Sequence, residues 1–152
     1  MNTIFHAYTS DIPDLFASLM RSEPFIAKGT SDQKGKPGVY VFFDGDTPVH
    51  VGRTRNLGRR LRGHVSNSHY SASFAFKCAR RALNKVATYT PEGSRAFLAK
   101  DEAFRPEFHR QVQRVKGLTV RFIEVTDPVH QYLLELYVCL ELELPLDEFD
   151  TH

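Results

Sequence analysis

Tyr40, His50, Arg60 and His64 offer a phenol, two imidazoles and a guanidinium within one short stretch of chain. Such groups can orient water, move a proton and hold an anion, provided that the backbone brings them together. The local pattern predicts that it does. Val39-Tyr40-Val41-Phe42-Phe43 is a β-rich run, Asp44-Gly45-Asp46 supplies turn residues, and Thr47-Pro48-Val49-His50-Val51 resumes an extended pattern. Tyr40 and His50 are therefore expected on neighbouring antiparallel strands. Asn56 is placed to cap a following helix in which Leu57, Leu61 and Val65 recur at four-residue spacing. That spacing sets Arg60 and His64 together on the flank of the buried stripe.

The elements that would position these groups fit one domain, residues 1–152, with a usable core. Apolar residues at 41% and charged residues at 25% are ordinary for a globular protein, and no stretch is long and apolar enough to span a bilayer. No membrane is implied. The first residues lack the pattern of a secretion signal, so the expected location is cytoplasmic. Cys78 and Cys139 form no CxxC pair, which argues against a disulfide framework or a cysteine zinc site. The net charge of +2 hides an asymmetry: residues 47–91 hold nine Lys or Arg and no acid, whereas residues 122–152 hold eight acids and no Lys or Arg. A basic surface that neutralises phosphates would look like this, and so would two solvated faces of opposite sign that pair with each other.

Residues 10–20 read as a helix with Ser10 as cap and Pro13 early, and 29–37 as a loop. After a polar loop at 66–71, a helix over 72–86 turns Phe76, Ala79, Leu83 and Val86 inward and Lys77, Arg80, Arg81 and Lys85 largely outward. Further helix follows over 96–114, with a break near Pro106, and a third strand over 118–125. The late helix, 130–140, is apolar almost all the way round and is expected to be mostly buried. Glu135 is the odd residue in it. A buried carboxylate needs a compensating cation, so Glu135 lies either on a wet side of the helix with Gln131 or against a positive charge.

Gly38-Val39-Tyr40, then His50-Val51-Gly52, Arg53, Asn56-Leu57, Arg60 and His64, and finally Leu133-Leu134-Glu135 before Pro145, resemble the GIY-YIG nuclease family in order and spacing. The resemblance implies an α+β fold: a small antiparallel three-stranded sheet flanked by helices. Residues 1–35 would be an N-terminal helix and loop, and 66–117 a helical insertion between the first core helix and the third strand. It implies catalytic roles for Tyr40, His50 (where the family usually has tyrosine), Arg53, Arg60, His64 and Glu135. Glu135 would be the ligand of Mg2+ or another divalent cation such as Mn2+, with Glu141 and Glu143 as second choices, and Asp147 stands near the family's usual asparagine. The partner would be nucleic acid, with DNA expected, contacted through Arg55, Arg59, Arg62, Lys77, Arg80, Arg81 and Lys85. Hydrolysis of this type leaves 5′-phosphate and 3′-hydroxyl ends. Duller readings stay open on the residues alone: Tyr40 as sheet aromatic, the insertion as a cover for the sheet, and the chain as a binding module that does not cut, or as a protein-interaction domain.

Overall fold

The computed structural model describes residues 3–28, 33–85 and 91–146. Strands β1 (Phe25–Ile26), β2 (Gly38–Asp44), β3 (Thr47–Thr54) and β4 (Thr119–Glu124) form one antiparallel sheet in the order β1-β4-β2-β3. The sheet thus has four strands where three were expected. The added one, β1, sets Phe25 opposite Val120 and Ile26 opposite Thr119, and two residues are too few to carry an alternating pattern. The β2–β3 hairpin turns as its sequence predicts, with Gly45 at φ +62°, a conformation that glycine adopts without strain.

Because β2 lies between β3 and β4 and is covered on both faces, it reads as a continuous apolar run. Val39, Val41 and Phe43, with Val51 of β3, join Ile12 and Leu19 of α2 (Ile12–Arg21) and Leu134 and Val138 of α7 (Pro128–Glu141) in one core. Tyr40 and Phe42 point the other way. They join Leu57 and Leu61 of α3 (Leu57–His64) and the apolar sides of α4 (Ser73–Ala82), α5 (Arg95–Lys100) and α6 (Phe104–Lys116) in a second core. Segment 66–117 therefore supplies most of the helical cover of one face, with Phe74, Phe76, Phe104 and Phe108 fully or almost fully buried. No helix among the described residues is long and apolar enough to cross a membrane.

Several boundaries differ from expectation for local reasons. The first helical region is two helices, α1 (Thr3–Thr9) and α2, and Asp11 rather than Ser10 precedes α2. Helix α1 buries no residue, so it leaves no apolar stripe to read. Helix α4 stops at Ala82 because Asn84 turns left-handed at φ +55°, with Lys85 N–H donating to the Arg80 carbonyl at 2.7 Å. Leu83 is consequently exposed instead of inward, and Val86 lies outside the described residues. The break expected near Pro106 falls at 101–103; Pro106 sits in the first turn of α6, where its missing N–H has no helical partner to lose.

Asn56 caps α3 as predicted and does more: its Oδ1 accepts from Arg59 N–H at 3.2 Å and from Gly35 N–H at 2.8 Å. One side chain thus fixes the start of α3 and ties the preceding loop to it. Asn56→Ala should lower the unfolding free energy by about 1–2 kcal/mol, with Asn56→Asp keeping most of it, as read by urea denaturation. Equal stability of the alanine variant would show that the cap is not used.

Candidate active site

The hydroxyl of Tyr40 lies 2.7 Å from Nε2 of His64, and both side chains are fully buried. Strand register makes this contact possible. Tyr40 pairs with Gly52 across the hairpin, and a Cβ built on Gly52 would overlap the Tyr40 hydroxyl and Cζ. The phenol therefore lies across the edge strand β3 in the space that a side chain would occupy. Gly38 has a similar necessity at the other side of β2, where a Cβ would overlap the Ile123 carbonyl of β4. His64 arrives from the last turn of α3, which Leu57 and Leu61 hold in the same core.

His50, two residues before Gly52 and so on the same face, stacks on Phe74 at 4.6 Å between ring centroids and meets His64 edge-on at 5.5 Å. Arg60 donates to the Ser71 carbonyl at 2.9 Å and to Ser73 Oγ at 2.7 Å, which anchors its guanidinium at the start of α4. Burial pushes the His64 pKa well below its ordinary value, and the positive charges of Arg60 and, when protonated, His50 push it further down. The imidazole is accordingly neutral near pH 7, and its Nδ1 makes no hydrogen bond among the described residues.

Arg53 and Glu135 belong to the opposite face. Arg53 follows Gly52 directly in β3, so the pleat turns it toward α7, where its Nε is 3.5 Å from Glu135 Oε1. Glu135 is only 2% exposed and is thus the compensated buried carboxylate rather than one on a wet side of the helix. Gln131 is buried as well, its amide donating to the Val125 carbonyl at 2.6 Å. Helix α7 is less enclosed than expected: Val129, Tyr132, Leu136 and Leu140 form an exposed stripe along it. The Arg53 guanidinium lies over the Tyr132 ring, 3.7 Å from its centroid. Tyr132 was not anticipated as a site residue, although its position three residues before Glu135 puts it on the neighbouring turn of the same helix.

Of the other basic residues, Arg55, Arg59, Arg62, Arg81 and Lys85 are exposed, whereas Lys77 and Arg80 are half-buried. Arg80 is engaged internally, donating to the Gly93 carbonyl at 3.1 Å and lying over Phe76 at 5.0 Å. Desolvation and, secondarily, the Arg95 charge lower its pKa. Glu141 and Glu143 are exposed at the end of α7, and Asp147 lies outside the described residues. No group of three or more His, Cys, Asp or Glu side chains gathers among the described residues.

A stretch of 37 residues is 43% identical to part of UvrABC system protein C from Aquifex aeolicus (strain VF5). The match covers 24% of this chain and 6% of that relative. No family model and no solved structure matches the chain.

The buried neutral His64 makes stability depend on pH. An unfolded histidine takes up a proton below about pH 6.5, while the folded one stays neutral to a lower pH, so the unfolded state binds more protons in that window. Unfolding free energy should fall as pH drops below about 6.5, His64 contributing up to about 1.4 kcal/mol per pH unit. His64→Gln should flatten this slope in denaturation curves measured from pH 7.5 to 5; an unchanged slope would show that His64 protonates freely when folded.

Proposed function

We propose that the chain is a metal-dependent endonuclease of the GIY-YIG type that hydrolyses nucleic-acid phosphodiesters, with DNA as the substrate. The observation that carries this reading is the buried Tyr40–His64 hydrogen bond laid over Gly52, with Arg53, the next residue of the same edge strand, paired with Glu135 of α7. The short likeness to UvrABC system protein C agrees with a nuclease at a coarse level only.

A free phenol has a pKa near 10 and is a poor base at pH 7. His64 offers the phenolic proton an acceptor 2.7 Å away. With its proton on Nδ1, the imidazole accepts from Tyr40 at Nε2, so the phenolic oxygen can take a proton from the attacking water while its own proton passes to His64. Burial and, secondarily, the charge of Arg60 oppose an imidazolium at His64 in the free protein. A phosphate drawn to Arg60 would offset that charge, so the relay accepts a proton more readily with substrate present. Arg53, a quarter exposed and paired with Glu135, would turn from the carboxylate toward the phosphate. A divalent cation, Mg2+ or Mn2+, held by Glu135 would supply Lewis acidity at the leaving 3′ oxygen. Arg55, Arg59 and Arg62 present exposed charge beside these groups for the flanking phosphates.

Incubation with duplex, branched and single-stranded DNA should give cleavage with Mg2+ and none with EDTA. Tyr40→Phe should slow single-turnover cleavage by roughly 10²–10⁴-fold. Glu135→Gln should abolish cleavage while DNA retention stays within a few-fold of the unsubstituted chain. Metal-dependent turnover that survives Glu135→Gln would remove the carboxylate from the reaction, and retention without cleavage under any metal would assign the chain a binding role alone.

A further inference from the structure

We infer that Tyr132 is a platform on which an unpaired nucleobase stacks next to the scissile phosphate, so that the chain favours single-stranded or branched nucleic acid over uninterrupted duplex. The inference rests on the nuclease reading and names its substrate class. Tyr132 is 56% exposed, a large value for a tyrosine whose ring is held in place by a guanidinium 3.7 Å from its centroid. The same guanidinium reaches Glu135 at 3.5 Å, so the exposed ring and the buried carboxylate share one cation. Val129 and Leu136, 42% and 43% exposed, flank the ring along α7 and widen the apolar surface around it.

Every nucleobase has a π-face, and stacking on an exposed aromatic is a sequence-tolerant way to hold one. A base within a duplex is already stacked and cannot reach such a ring; a base at a branch, flap or single strand can. A dry protein interface is a poorer occupant, because burying the ring would also bury much of Arg53 and add to its desolvation. A phosphodiester chain instead brings an anion for Arg53 together with a base for the ring.

The test is binding, measured in EDTA so that nothing is cut, of a single-stranded oligonucleotide carrying 2-aminopurine and of a blunt duplex of the same sequence. Tyr132→Leu should weaken single-strand affinity about 10-fold and abolish the stacking-dependent quench of 2-aminopurine, while duplex affinity changes less than about 2-fold. Tyr132→Phe should retain both signals. Equal losses on the two ligands would reduce Tyr132 to a support for Arg53 and overturn the platform, as would unchanged single-strand affinity in Tyr132→Leu. So would a change in sedimentation from dimer to monomer with nucleic-acid affinity unaltered, which would assign the stripe to self-association. Absence of binding to any oligonucleotide overturns both readings, whereas ring-dependent single-strand binding without cleavage in Mg2+ overturns the nuclease reading and leaves the platform standing.

Discussion

A hydrogen bond between two fully buried polar groups, Tyr40 and His64, ties strand β2 to helix α3 and constrains the elements around both. Leaving either partner unmatched in the interior would cost about 1–3 kcal/mol, so the surrounding elements must keep them in place. The hairpin has to set a residue without a side chain opposite Tyr40, and Gly52 does so. Helix α3 has to begin at one point after β3, and the Asn56 cap fixes that point. Phe42 meets His64 edge-on at 5.0 Å, and Phe74 at the start of α4 covers His50, which closes the site from the insertion side. Segment 66–117 is thus part of what encloses the phenol and the imidazole.

The sheet divides the site in two. Tyr40, His50 and His64 lie on the face covered by α3 and α4, and Glu135 lies on the face covered by α7. An edge strand is where the two can adjoin, because no further strand blocks the passage from one face to the other. Gly52 and Arg53 are consecutive, so a shift of one residue in register would exchange the faces that they serve. The bulge between Phe42 and Phe43 lies farther along the hairpin, leaving the Tyr40–Gly52 and Val39–Arg53 pairs regular.

What could be read from sequence was what local chemistry determines. The hairpin, the Asn56 cap, the strand near 118–125 and the late helix all follow from periodicity or turn residues, and they delivered Tyr40, His50 and His64 to one face of the sheet. Helix ends were less legible, since Asn84 and Glu143 both close helices through left-handed turns that apolar periodicity ignores. The two-residue β1 carries no pattern at all. Tyr132 was hidden for a different reason: in a helix apolar nearly all round, the exposed face is set by what α1 and α2 leave uncovered, and that is a tertiary fact.

Glu135 and Arg53 bring a pair of opposite charges to this edge. A carboxylate 2% exposed, with a guanidinium at 3.5 Å, has exchanged its hydration for the charge that compensates it. Its neighbours on the buried side of α7, Leu134 and Val138, are apolar and need no such partner. In the proposed reaction Arg53, the more exposed member, would meet an arriving anion while the carboxylate became available to a cation. The proposed exchange would start from a quarter-exposed Arg53 and a buried Glu135 that meet beside an edge strand, one residue from the space that Tyr40 occupies, so that both halves of the site would answer to the same arriving phosphate.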